Sequence, residues 1–207
     1  MLVQSVTLGH ERDSEVLMEI VATHFGGVLE LSTPCFGDDR GSFAVTFEVG
    51  AAAGVGMVEP FVQDNHSVSV PVGTLRGMHL QLAPFAQGKL VRVVRGRILD
   101  VVVDLRPGSP TRGEHVSIEL DAVSGNQLWV PRGFGHGFCT LEPNTEVIYK
   151  VDNAYTPAAE RSLAWNDPTV GIDWPVTEDT VTLAAKDREG LSYQQIIDEI
   201  DQMESTA

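Results

Sequence analysis

The sequence predicts an all-β domain, a sandwich or a small barrel, followed by one helix near its C-terminal end. Two observations carry that expectation. Between residues 69 and 150 the chain runs as short β-type segments separated by Gly and Pro signals, with no amphipathic helix among them. Helical periodicity is convincing only at Leu191, Ile196, Ile197, Ile200 and Met203, an apolar stripe opposite acidic residues. No repeat, linker or low-complexity stretch divides the chain, and 207 residues suffice for one sizeable core. A single domain over residues 18–207 is expected. Residues 1–17, which show no clean period, form an N-terminal extension in this reading.

The elements follow in order. Met18-Glu19-Ile20-Val21 and Val28-Leu29-Glu30-Leu31 read as short strands. Phe36 to Phe43 sets turn residues around Arg40, which is either a solvated turn residue or an anion contact. Residues 50–57 are small and suit a weak helix or a loop, and Phe61 to Ser67 returns to a strand pattern with a polar cluster. In Lys89 to Val94, alternation puts Lys89, Val91 and Val93 on one face. Both faces are mostly apolar, so the pattern leaves open which is inside; an inward lysine would need a partner or a purpose. After the Arg95-Gly96-Arg97 turn, Ile98 to Leu105 forms a strand closed by Pro107-Gly108-Ser109-Pro110. Residues 115–120, 127–130, 137–141 and 147–151 supply further strands, with a tight loop at Pro131 to His136.

Composition excludes some functions. With 29 acidic against 14 basic residues the formal charge is −15, which argues against nucleic acid or an anionic membrane as partner. An anionic substrate would require a local cluster of Arg and Lys. No apolar run approaches the ~18 residues of a membrane span, and Met1 to Leu17 lacks the basic and apolar regions of a signal peptide. A cytoplasmic location is expected. Cys35 and Cys139 are far apart in apolar surroundings and read as reduced, buried thiols.

The stretch richest in chemistry is Leu75-Arg76-Gly77-Met78-His79-Leu80-Gln81. Its arginine could hold an anion and its histidine could move a proton. In an extended strand His79 and Gln81 share a face and Arg76 points away. Both reach one cavity only if the chain bulges near Gly77. Taken singly, the other candidates have ordinary structural readings. His79 and His136 fit satisfied structural histidines, Tyr149 fits a core position beside Val147 and Val151, and Lys186 and Asp187 fit a solvated segment.

Several ordered segments together carry more. They are Phe36-Gly37-Asp38-Asp39-Arg40-Gly41, Gln63-Asp64-Asn65-His66-Ser67, Leu75-Arg76-Gly77-Met78-His79 and Gln87-Gly88-Lys89-Leu90-Val91-Arg92. Asp100 to Leu105, Gln127 to Pro131, Gly135-His136-Gly137-Phe138, Tyr149-Lys150, Trp165-Asn166-Asp167-Pro168 and Ala185-Lys186-Asp187 continue the series. In these segments the chain resembles the dTDP-4-dehydrorhamnose 3,5-epimerase family of the cupin superfamily, from Val28 to Asp187, about three-quarters of its length. The resemblance implies a cupin-type jelly-roll β-barrel with short peripheral helices and a C-terminal helix. It implies an isomerase acting on a nucleotide-linked 4-keto-6-deoxyhexose, dTDP-4-dehydro-6-deoxy-D-glucose, inverting C3 and C5 through an enolate. By the family match His79 is the base, Asp187 orients it, Tyr149 is the acid on the far face, and Lys89 stands near the enolate oxygen. Arg40, Arg76 and Lys186 are implied as substrate contacts with Gln63, Asp64, Asn65, His136 and Glu160, and Tyr155 as the ring that stacks on thymine. The family is usually homodimeric, so the resemblance implies a homodimer, and it implies no metal or redox cofactor.

Metal-binding cupins usually present His-x-His plus Glu in a first motif and a further His in a second. Here His79-Leu80-Gln81 offers an amide where a ligand would stand, which implies a metal-free barrel. One departure is Val45, where the family often has glutamate four residues after the glycine of its Arg-Gly turn. It bears on nucleotide or sugar preference. The rival readings are an epimerase of C3 or C5 alone, a non-catalytic sugar-nucleotide-binding cupin and, more remotely, a metal-dependent cupin oxygenase.

Overall fold

The structure, a computed structural model, describes residues 18–205; the expected extension at 1–17 lies outside the described residues. The first strands are β1 (Glu19–Thr23), β2 (Leu29–Ser32), β3 (Cys35–Asp38), β4 (Gly41–Ala44), β5 (Gln63–Ser69), β6 (Leu75–Gln81) and β7 (Lys89–Arg95). They continue as β8 (Arg97–Asp104), β9 (His115–Asp121), β10 (Gln127–Val130), β11 (Phe134–Thr140), β12 (Thr145–Val151) and β13 (Glu160–Ser162). The α-helices are α1 (Val49–Gly54), α2 (Ala185–Arg188) and α3 (Tyr193–Ser205).

Two antiparallel sheets result. One has the order β1-β2-β10-β7-β12-β5, the other β13-β6-β11-β8-β9, and β3-β4 is a separate hairpin. From β5 onward the chain mostly crosses from one sheet to the other at each connection, the jelly-roll pattern. Between the sheets Val91, Val93, Leu128, Val130 and Val147 pack against Ile98, Val102, Ile118, Leu120 and Phe138.

The outer faces are covered as well. Leu75, Met78, Leu80, Val101 and Val103 lie under Leu163, Trp165, Trp174 and Ile196, brought by the C-terminal segment and α3. On the other side Leu29, Leu31 and Leu90 lie under Ala52 of α1 and Met57. Strands such as β7 and β8 are therefore apolar on both faces because both faces are buried.

The β3–β4 hairpin belongs to neither sheet, and Phe36 and Phe43 on it are exposed. Cys35, expected to be buried, is exposed for the same reason. Cys139, in β11, is buried, and burial pushes its thiol up to about 11. Among the described residues no helix is long and apolar enough to cross a membrane.

Candidate active site

Where the two sheets part, they enclose a cavity of about 360 Å³. β5 lends Gln63, Asn65 and Ser67, β7 lends Lys89, and β12 lends Tyr149, all from the six-stranded sheet. The five-stranded sheet lends Arg76, His79 and Gln81 from β6, His136 from β11 and Glu160 from β13. Tyr155 and Lys186 stand at the rim, and Gln87, Phe138 and the buried Asp187 also line the cavity. His79 and Tyr149 thus approach one space from facing sheets.

The bulge that Arg76 and His79 need is present at Gly77. Pairing between β11 and β6 slips by one residue between His136↔His79 and Phe138↔Arg76. Gly77 takes φ +132°, and a Cβ there would lie 2.5 Å from Gly137 Cα. Only glycine fits. The slip lets Arg76 join the cavity with His79, and Arg76 is held there by donating from Nε to Ser69 Oγ (3.1 Å) and from Nη2 to Val68 O (3.1 Å).

Each candidate has specific partners. His79 Nε2 lies 2.6 Å from Asp187 Oδ1, and Asp187 is only 3% exposed in α2. A carboxylate there fixes the ring and engages Nε2, leaving Nδ1 as the nitrogen available to the cavity. Lys89, 7% exposed, donates from Nζ to His79 O at 3.2 Å. Burial lowers its ammonium to about 8, against the pull of Asp100 and Glu160 and with a contribution from Lys186. The Tyr149 phenol is raised, chiefly by burial, while Lys186 and Arg76 act in the opposite sense. His136 Nε2 lies 2.8 Å from Oδ1 of the fully buried Asp100.

At the rim Glu160 accepts from Lys186 Nζ at 3.0 Å and from the Tyr155 hydroxyl at 2.8 Å. Burial would raise the Glu160 carboxyl, but these two bonds, together with the charges of Lys186 and His79, outweigh it and lower the group. The same bond to Glu160 raises the Tyr155 phenol. Three cationic side chains thus converge on one cleft of an acidic chain, the local cluster an anionic substrate requires.

Two expected contacts lie elsewhere. The Arg40 side chain is 90% exposed on the hairpin, paired with Asp38, and does not line this chain's cavity. Asp64 points to the opposite side of β5 from Gln63 and Asn65, because successive strand residues face opposite ways; there it pairs with Lys150 at 2.9 Å. Sequence reasoning missed Ser67, Gln81 and Gln87 as lining residues and Asp100 as the partner of His136. The place of Asp100 on the strand face shared by Ile98 and Val102 was the available signal for the last.

Among the described residues no group of three or more His, Cys, Asp and Glu is arranged to hold a metal ion. Gln81 donates to Phe85 O and Ala154 O and accepts from Thr156 N, so both ends of its amide are engaged by backbone.

A jelly-roll barrel with a carboxylate-oriented histidine on one sheet and a tyrosine on the other defines an acid–base isomerase of the cupin type. The chain belongs to the dTDP-4-dehydrorhamnose 3,5-epimerase family, whose model matches residues 22–195. It is 51% identical over 156 residues to the dTDP-4-dehydrorhamnose 3,5-epimerase of Sinorhizobium fredii, covering 73% of this chain and 77% of that one. The epimerase structure from Bacillus anthracis with TDP and PPi bound is similar, with TM-score 0.82 and 43% identity over 84% of this chain and 99% of that one. The Legionella pneumophila epimerase in complex with dTDP-4-keto-L-rhamnose gives TM-score 0.83 and 38% identity, covering 88% of this chain and 96% of that one.

Proposed function

We propose that the protein inverts C3 and C5 of dTDP-4-dehydro-6-deoxy-D-glucose to give dTDP-4-dehydro-L-rhamnose. The observation that carries this is the approach of His79 and Tyr149 to one cavity from facing sheets. Inversion beside a ketone needs a base on one face of the sugar, an acid on the other, and positive charge near the carbonyl oxygen. His79 takes the proton from carbon, and the released electron pair moves onto the C4 oxygen as an enolate. Asp187 stabilises the imidazolium so formed, and the Lys89 ammonium stabilises the enolate. Tyr149 then gives its proton to the opposite face, and exchange with solvent resets both groups. Arg76 and Lys186 hold the diphosphate, with Gln63, Asn65, His136 and Glu160 lining the rest of the site, and Tyr155 offers a flat face to thymine. Neither metal nor cofactor takes part in this reading, to which the full engagement of the Gln81 amide lends support.

The reading includes a homodimer in the cytoplasm. Arg40 stands clear of its own cavity on an exposed hairpin flanked by Phe36 and Phe43, which supports a role across the interface, in the partner's site.

The test is NMR in D₂O with dTDP-4-keto-6-deoxyglucose. Deuterium at both C3 and C5 is expected. Label at one carbon would instead establish a single-centre epimerase, and none a binding protein. His79→Ala should abolish incorporation; substantial residual exchange would remove His79 from the base role. Tyr149→Phe should slow inversion more than the first deprotonation.

A further inference from the structure

Four consecutive residues, Asn153 to Thr156, are held by three glutamines from separate parts of the fold. Gln87 Nε2 donates to Asn153 O at 2.7 Å, and Gln81 Nε2 donates to Ala154 O at 3.2 Å. Tyr155 N donates to Gln63 Oε1 at 3.1 Å, and Thr156 N donates to Gln81 Oε1 at 2.6 Å. Gln81 also donates to Phe85 O at 2.6 Å. The segment lies between β12 and β13 with no ladder of its own, so its backbone groups must find other partners. They find them in side chains set by β5, by β6 and by the residues leading into β7, all three of which line the cavity.

What this loop carries is Tyr155, 49% exposed at the rim, its hydroxyl donating to Glu160. The ring is therefore fixed at both ends, by the glutamines through its backbone and by Glu160 through its tip. A platform for a flat base works best when it is rigid before the ligand arrives, because ordering it on binding lowers affinity. Gln81 is suited to this in a way neither Glu nor Leu would be. One planar amide supplies a donor for the carbonyl of residue 154 and an acceptor for the N–H of residue 156.

We propose that Gln81, assisted by Gln87, is a positioning residue for nucleoside recognition, holding the Asn153–Thr156 loop so that Tyr155 is preset to receive the base. This rests on the nucleotide-sugar reading above. It assigns Gln81, which offered a possible metal ligand by its place in the sequence, a role at the opposite end of the substrate from the chemistry.

Binding of dTDP and of inorganic pyrophosphate is measured for wild type, Gln81→Leu, Tyr155→Ala and the double variant, with turnover alongside. Losing the amide should weaken dTDP roughly fivefold to tenfold. Pyrophosphate affinity should stay within about twofold, since Arg76 and Lys186 are untouched, and KM should rise while kcat changes less than about twofold. In the Tyr155→Ala background the Gln81 change should add almost nothing, because its effect runs through that ring. A parallel loss of pyrophosphate binding, a fall in kcat at constant KM, or an undiminished effect without Tyr155 would each overturn the proposal. Should Gln81→Leu not fold, Gln87→Leu, which removes one bond to the same loop, is judged by the same criteria. A wild type that binds no dTDP would sink the nucleotide-sugar reading itself. A wild type that binds it, with Gln81→Leu unaffected, would sink the positioning role alone.

Discussion

Lys89 keeps its charge in a place that disfavours charge. Burial brings its ammonium down to about 8, so at neutral pH it is still mostly protonated and able to face a developing oxyanion. Raising the pH through 8 removes that proton. The sign is thus fixed: kcat/KM, which reports the free enzyme, should fall on the alkaline side with a midpoint near 8. Lys89→Met should lose that limb of the profile and roughly 10²-fold or more in kcat; a profile flat to pH 10 in wild type would exclude the role. At this scale the sequence was partly legible. Alternation put Lys89 on the face of Val91 and Val93, yet two apolar faces concealed which was inner. Alternation also held the answer for Asp64, which sits between two cavity residues and so points away. The His79–Asp187 pair spans 108 positions, and no local pattern encodes it; only the family resemblance joined the two.

Among the elements, β6 shows how one residue shapes a strand. Its bulge exists because Gly77 tolerates a positive φ and leaves room for the backbone of Gly137. Gly77→Ala should destabilise the fold by about 1–3 kcal/mol and cut kcat/KM at least tenfold by moving Arg76 relative to His79. Chemical denaturation and steady-state kinetics check the two effects. Gly54→Ala is the control. A Cβ there meets nothing within 4 Å, so the change should be neutral or slightly stabilising. The need for this bulge was readable beforehand, since a regular strand cannot turn Arg76 and His79 into one cavity. The hairpin β3–β4 was not. It read only as turn residues around Arg40, and nothing in a single sequence says that Phe36 and Phe43 face away from both sheets.

Three apolar layers rather than one hold the whole molecule together, and the C-terminal segment builds the outermost of them on the five-stranded sheet. Ile196 is completely buried in that layer. Ile196→Ala should cost about 2–5 kcal/mol while leaving kcat within about twofold well below the melting temperature, because this layer lies behind the sheet from the cavity. Thermal unfolding and assays at two temperatures separate these outcomes; a large loss of kcat at low temperature would tie the layer to the chemistry. Most strands of the two sheets and the final helix were legible from the sequence pattern, while β13 was not. Which sheet each strand joins was not, since that depends on pairings between distant segments that leave no mark on either partner alone.

The distance along the chain between His79 and Asp187 has a temporal meaning too. A ribosome completes β6 long before it reaches α2. Until residue 187 emerges, the imidazole has no carboxylate to orient it, and the cavity lacks part of its wall. On the proposed roles, a chain cut short of residue 187 lacks the carboxylate that orients the base meant to take a proton beside the ketone. The proposed pair is therefore complete only once translation has passed residue 187, close to the end of the described chain.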